Sequence, residues 1–228
     1  MNINELNPRL RKIAQLVPPN ACTADIGTDH AYIPIVLVKA GVTPRAIASD
    51  IKKGPIQRAK TNILSHGLGA LVETRLGAGL ETLSPSEAEV IIVAGMGGIL
   101  IADILEASRE IVNSAQLLIL QPMTASTELR QYLCENGYEI KAEYLEAEEE
   151  KLYNIITAVP NGCCSYSTRE LYLGRGIGET SPELYPRYRD AVITKLTKRA
   201  CGLEKASSPQ SKAELKEIQK LLEILKES

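Results

Sequence analysis

The chain has 228 residues, 44% hydrophobic and 24% charged, and a formal net charge of −2. That balance excludes a disordered chain and a uniformly basic surface, and no apolar run reaches membrane-spanning length. There is room for one full domain plus an appendage, and with 9 Tyr but no Phe or Trp the core must come from Leu, Ile, Val and Ala.

Strand-like runs alternate with helical patterns from residue 21 to about residue 136. The first strand spans 21–26, and a helix over about 31–40 stops at Gly41, a residue suited to a helix C-terminus. The second strand covers 45–49. The next helix opens with Pro55, whose fixed φ suits the first helical position, and closes at Gly67. Strands over 71–76 and 90–93 follow, then a helix over about 98–107 with Ile99, Ile101, Ile104 and Leu105 on its apolar side. Residues 117–120 form a continuous apolar strand, as expected where a parallel sheet is covered on both faces. A helix over about 125–136 ends at Gly137. Beyond it, 138–145 and 151–159 are strand-like and separated only by the acidic stretch 146–150. No crossover helix fits there, so the two runs should be antiparallel neighbours. Repeated βα units that finish in such a hairpin predict an α/β, Rossmann-like doubly wound sheet, with the ending characteristic of class I methyltransferases.

Residues 161–228 differ in character from 1–160 and are expected to form a separate helical hairpin. A polar link over 161–167 comes first. Ser181-Pro182 reads as an N-cap and first helical residue, followed by Leu184, Tyr188, Val192, Leu196, Ala200 and Leu203 at helical spacing. Gly202 and 206–210 should break that helix, and Ser211 with Glu214 reads as a capping box for a last helix carrying Leu215, Ile218, Leu222 and Leu225.

Chemistry concentrates in Thr23-Ala24-Asp25-Ile26-Gly27-Thr28-Asp29-His30-Ala31-Tyr32, an apolar strand ending in an acidic turn that opens into a helix. Such a turn offers backbone N–H groups to an anion. Asp25 and Asp29 would repel a pyrophosphate, and only Gly27 stands where the dinucleotide fingerprint needs three glycines. A ligand with one carboxylate and cationic centres suits the turn, and S-adenosylmethionine is such a ligand. Asp50, 25 residues beyond Asp25, ends the second strand and is placed to accept from ribose hydroxyls, although a helix N-cap explains a lone Asp equally well. Ile51 follows it, and Gly77-Ala78-Gly79 lies after the third strand, where adenine is expected. Ala94-Gly95-Met96-Gly97-Gly98 closes the fourth strand beside the topological switch, and Gln121-Pro122-Met123 closes the fifth on the same edge.

Asp25-Ile26-Gly27-Thr28-Asp29-His30-Ala31-Tyr32, Ala94-Gly95-Met96-Gly97-Gly98, Leu120-Gln121-Pro122 and Lys151-Leu152-Tyr153 together resemble the bacterial tRNA (adenine(22)-N(1))-methyltransferase family, over roughly residues 6–158. The resemblance implies a Rossmann-like S-adenosylmethionine-dependent domain, a helical C-terminal domain, and methylation of N1 of an adenine in tRNA. Met123 stands where that family tends to have Asn. On this reading Asp25, Gly27, Thr28, His30, Asp50, Ile51, Gly77, Ala78, Gly79, Ala94, Gly95 and Met96 hold the cofactor. Asp29 is the candidate catalytic residue, orienting the base or stabilising the cationic product. Gly97, Gln121 and Pro122 line the substrate side, where Tyr32, Tyr153 or Met96 would stack on the base.

Three basic groups could meet RNA phosphates: Arg9, Arg11 and Lys12; Lys52, Lys53, Arg58 and Lys60; and Arg187, Arg189, Lys195, Lys198, Arg199 and Lys205. The third has few acidic neighbours, so Lys195, Lys198 and Arg199 are expected to grip tRNA, with Arg9 a further contact. Each group could equally be a solvated helix face. His30 and His66 belong to no metal-ligand set, and no metal is expected. Cys22, Cys134, Cys163, Cys164 and Cys201 fit no zinc or C-x-x-C spacing and read as idle thiols. With no leader or membrane segment apparent, a cytoplasmic monomer is expected.

Overall fold

A computed structural model describes residues 2–204 and 208–226. Its centre is one seven-stranded sheet with the strand order 3-2-1-4-5-7-6. Strands β1 (Thr23–Ile26), β2 (Ala46–Asp50), β3 (Val72–Leu76), β4 (Val90–Gly97) and β5 (Leu117–Thr124) run parallel. Strands β6 (Tyr138–Glu148) and β7 (Lys151–Pro160) form the expected antiparallel hairpin, with β7 antiparallel to β5. The helices are α1 (Pro8–Gln15), α2 (Tyr32–Lys39), α3 (Lys53–Ser65), α4 (Gly98–Ala107), α5 (Arg109–Asn113), α6 (Ser126–Glu135), α7 (Thr168–Leu173), α8 (Ile177–Thr180), α9 (Tyr185–Glu204) and α10 (Pro209–Lys226).

Alternation along β4 shows how the core is divided. Val90 and Ile92 pack with Ile13 of α1 and Ile33 and Leu37 of α2. Ile91 and Val93 pack on the other face with Ile101 and Leu105 of α4 and Leu129 and Leu133 of α6. Because successive side chains leave a strand on opposite faces, a fully apolar run is what a sheet covered on both sides requires.

Several element boundaries differ from expectation. Pro55 is the third residue of α3, because the helix begins at Lys53 and the Lys52 N–H donates to the Asp50 carboxylate (2.6 Å). Proline is tolerated there because the first-turn N–H groups have no intrahelical acceptor. Ser181 is not the N-cap of the long helix; it stands at the C-terminal cap of α8, is buried, and its hydroxyl accepts the Leu145 N–H (2.9 Å). The long helix starts at Tyr185 and continues through Gly202 to Glu204. Ser208, rather than Ser211, begins the last helix, its hydroxyl accepting the Ser211 N–H (3.0 Å). Helices α9 and α10 do pair as a hairpin through Leu196, Ala200, Ile218 and Leu222. The thiols are not all idle: Cys134 and Cys164 are joined in a disulfide, while Cys22, Cys163 and Cys201 are free. This bond ties the end of α6 to the link expected over 161–167. Lys205 lies outside the described residues.

The appendage is pinned to the sheet by a buried ion pair. Arg130 of α6 and Glu143 of β6 are both fully buried, with Nε 2.8 Å from Oε2. Arg130 also donates to the Leu171 carbonyl (2.9 Å) and to the Asn154 side chain (3.1 Å). Glu143 accepts from the Arg175 N–H (3.1 Å). No helix among the described residues is long and apolar enough to cross a membrane.

Candidate active site at the carboxyl edge of the sheet

The site lies where β1 and β4 part, at the switch in strand order. Asp25 is buried near the end of β1, and burial pushes its carboxyl from 3.8 up to about 6, against the downward pull of the Thr28 hydroxyl and Arg9. Asp50 adds to the upward push. Among the described residues Asp25 makes no direct ion pair, and burial outweighs the pull of Arg9, so a buried carboxyl without a contacting cation faces this edge. The turn supplies fewer free N–H groups than expected. Those of Gly27 and Thr28 donate to the Ser49 carbonyl (2.7 and 3.0 Å), and that of Ala31 to the Thr28 hydroxyl (3.1 Å). Gly27 has φ +78°, and the Met96 methyl lies where a Cβ would stand, so β1's turn and β4's turn touch directly.

Asp50 ends β2 opposite Leu76, and its main-chain carbonyl accepts the Gly77 N–H (3.1 Å). Ile51 (65% exposed) and Leu76 (49% exposed) present apolar surface beside it, and Gly77-Ala78-Gly79 closes that side. An unpaired buried acid, a second acid one strand away and two exposed aliphatic side chains suit a nucleoside that carries an ammonium group. These residues therefore fit S-adenosylmethionine.

The β4–β5 pairing shifts register between Ala94 and Met96, which carries β4 four residues beyond its expected end. Gly95, at φ +78°, sits in that irregularity. Its N–H donates to the Oε1 of buried Gln121 (3.0 Å). Arg9, reaching in from α1, donates to the same oxygen through Nη1 (2.8 Å). The Arg9 guanidinium lies 5.3 Å from the centre of the Tyr153 ring. Gln121 Nε2 in turn donates to the Pro122 carbonyl (2.9 Å). Arg9, Gly95, Gln121, Pro122 and Tyr153 thus form one connected group, with Gly97 pairing alongside Thr124. A Cβ at Gly98 would stand 2.2 Å from the Ala125 carbonyl oxygen, so only glycine permits α4 to start this close to β5.

Asp29, His30 and Tyr32 turn elsewhere. Asp29 is ion-paired with Arg58 of α3, and His30 Nε2 lies 3.4 Å from it. His30 and Tyr32 stack with centroids 5.0 Å apart. Together with Asn62 and Ser65 they line a shallow cleft of ≈ 360 Å³ on the α3 side. Arg58, missed as a site residue, was legible only as one of the cations on α3. Glu148, which accepts the Arg9 main-chain N–H (3.2 Å), carried no signal beyond the acidic stretch that contains it.

A groove of ≈ 820 Å³ runs from Pro122 between the β5–α6 connection and the α9–α10 hairpin, and Lys195 and Arg199 stand on its far wall. Arg199 is paired with Glu214 (Nε–Oε1 2.6 Å), and Arg187 reaches Glu150. Among the described residues Lys195 and Lys198 make no ion pair.

A sheet of this order with an acidic turn at its switch defines a class I methyltransferase, and the family described as a methyltransferase domain matches residues 6–156. The tRNA (adenine(22)-N(1))-methyltransferase of Bacillus subtilis is 34% identical over 100% of this chain and 98% of its own length. The crystal structure of the B. subtilis m1A22 tRNA methyltransferase TrmK superposes with a TM-score of 0.89 at 30% identity, covering 97% of both chains. A putative tRNA (m1A22) methyltransferase of Streptococcus pneumoniae, in complex with S-adenosyl-L-methionine, is 33% identical with a TM-score of 0.80, covering 94% of this chain and 98% of its own. The chain belongs to the tRNA (adenine(22)-N(1))-methyltransferase family.

Proposed function

We propose that the chain transfers the methyl group of S-adenosylmethionine to N1 of adenine 22 in tRNA. The observation that carries this reading is similarity over the whole chain, C-terminal helices included, to a relative named for that reaction. Bound S-adenosylmethionine supplies an electrophilic methyl group on a sulfonium. The chain's residues bind and orient. Asp25 takes the ammonium end and Asp50 the ribose hydroxyls, between the turns at Gly27 and Gly77–Gly79. Gly95 to Gly97, Gln121 and Pro122 form the wall on the base side. Adenine N1 bears a lone pair and no proton when neutral, so no strong base is required, and alignment with electrostatic support does the work. The target base has to leave the RNA fold to reach this edge. On this reading Asp29, although paired with Arg58 on the cleft side, acts on the substrate or product rather than on the cofactor's amino-acid end.

A methyltransferase of this fold acting on a small molecule or a protein is the other reading. The unpaired Lys195 and Lys198 beside the groove favour RNA. The test is mass spectrometry of both nucleosides and nuclease fragments from unmodified tRNA incubated with the chain and S-adenosylmethionine. We expect 1-methyladenosine at position 22, and its absence overturns the reading. Asp29→Ala in the same assay is expected to lower turnover by at least tenfold while S-adenosylhomocysteine still binds, whereas parallel loss of both makes Asp29 a cofactor ligand. The same reading has a cytoplasmic monomer at work, which light scattering with and without tRNA checks.

A further inference from the structure

Arg9 lies 112 residues from Gln121 in sequence, yet its guanidinium is bonded to that side chain at the β4–β5 end of the site. Three of its surroundings are specific. Nη1 donates to Gln121 Oε1 (2.8 Å), the group lies against the Tyr153 ring, and the main-chain N–H is held by Glu148 (3.2 Å). The Nε atom is buried with no hydrogen-bond partner, so this arginine is not a solvated cation awaiting a phosphate. Arginine has only donors, whereas a glutamine amide has an oxygen end and a nitrogen end. Facing Arg9, the amide of Gln121 must present oxygen. That orientation makes the same oxygen available to the Gly95 N–H (3.0 Å) and sends the nitrogen to the Pro122 carbonyl (2.9 Å).

The Ala94–Gly95 peptide is thereby oriented. In a trans peptide the N–H and the preceding C=O point in opposite directions. With the Gly95 N–H held by the Gln121 side chain, the Ala94 carbonyl is turned away from Gln121. The β1–β4 ladder ends at Ile26 and Val93, so the strand neighbour of Ala94 away from β5 is the turn that begins at Gly27, beside Asp25. At φ +78° the next residue must be glycine-like, and nothing in the local sequence preference alone would hold this peptide in one orientation.

We infer that Arg9 is a positioning residue: acting through the Gln121 amide, it fixes the Ala94–Gly95 peptide so that the Ala94 carbonyl joins Asp25 in receiving the ammonium group of the methyl donor. The inference rests on the proposed S-adenosylmethionine-dependent reaction but is tested by binding alone. Calorimetric titration compares S-adenosylhomocysteine with 5′-methylthioadenosine, which keeps the nucleoside and lacks the amino-acid end. Arg9→Met and Gln121→Leu are each expected to weaken S-adenosylhomocysteine about tenfold and 5′-methylthioadenosine less than about twofold. The double variant is expected to be no weaker than the worse single variant, because both changes remove one device. Gln121→Glu keeps both acceptor bonds and is expected to bind S-adenosylhomocysteine at least as well as the wild type. Should Gln121→Leu not fold, Gln121→Met carries the test, with S-adenosylhomocysteine expected to weaken as in Arg9→Met and 5′-methylthioadenosine expected not to. A loss confined to Arg9→Met, with Gln121→Leu unaffected, overturns the inference by making Arg9 a direct ligand contact. Additive losses, or equal losses for the two ligands, overturn it as well. Failure of the unaltered chain to bind S-adenosylhomocysteine refutes the proposed reaction instead.

Discussion

Burial holds the Asp25 carboxyl near 6, whereas it titrates at 3.8 in the open, so above pH 6 the folded chain keeps an ionised group in a poor solvent. A carboxyl whose folded value is raised binds protons more readily folded than unfolded. Its contribution therefore favours the folded state below 3.8 and is lost as pH rises through 6. Converted to free energy, that displacement is about 3 kcal/mol at pH 8. Asp25→Asn is accordingly expected to raise the melting temperature of the ligand-free chain at pH 8. The gain should shrink through pH 6 and vanish near pH 4, while affinity for S-adenosylhomocysteine collapses. In the unaltered chain, cofactor affinity should fall about tenfold per pH unit below 6, as the carboxylate that meets the ammonium is protonated. Melting curves at pH 8 and pH 5, with titrations over the same range, check both. A stability gain independent of pH would mean that Asp25 is not the titrating group.

At the scale of elements, most of the alternation from Thr23 to Glu135 was legible because the strands are apolar runs and α2, α3 and α6 are punctuated by Gly41, Gly67 and Gly137, whereas α5 carries no such signal. The cofactor turn and the glycine run at 94–98 were legible for the same reason, being local. What stayed hidden depends on contacts distant in sequence. Ser181 looks like a cap until Leu145, 36 residues away, claims its hydroxyl. Arg9 reads as a surface cation until α1 carries it to Gln121, 112 residues on. Nor does the sequence show that Arg130 of the Arg130–Glu143 pair bonds to the Leu171 carbonyl and the Tyr188 hydroxyl in the expected C-terminal unit. Removing one partner of such a pair leaves an uncompensated buried charge and costs about 3–5 kcal/mol. Arg130→Met is expected to lower the melting temperature on the order of 10 °C. Arg130→Met with Glu143→Leu should recover most of that loss, since a well-packed apolar pair avoids the desolvation penalty. Denaturant titration of the three variants checks this, and an undiminished deficit in the double variant would show that the Leu171 and Arg175 main-chain bonds matter more than the charges.

Over the whole molecule a formal net charge of −2 offers tRNA no general attraction, so any electrostatic grip has to be local. Pairing within the chain narrows the choice further. Arg58 is held by Asp29, Arg199 by Glu214 and Arg187 by Glu150, while Lys12 lies 4.0 Å from the centre of the Tyr144 ring. Lys195 and Lys198 on α9 keep their charge exposed, and Lys195 lines the groove that starts at Pro122 beside the proposed base wall. An RNA strand leaving that wall along the groove would bring its phosphates to these two lysines. Each phosphate contact contributes about −0.7 to −0.9 to the slope of log affinity against log salt. Lys195→Glu with Lys198→Glu is therefore expected to raise KM for tRNA at least tenfold at low salt and to flatten the salt dependence by nearly two contacts. Turnover at saturating tRNA and affinity for S-adenosylhomocysteine should be unchanged. Arg199 is left alone in this variant, because reversing it would set two carboxylates against each other at Glu214 and disturb the hairpin itself. Steady-state kinetics over a salt series gives the answer. An unchanged KM and slope would remove the hairpin as the grip and transfer it to Lys52, Lys53 and Lys60, exposed lysines at the start of α3 and along it, the helix that contributes Gln57, Arg58 and Thr61 to the His30–Tyr32 cleft.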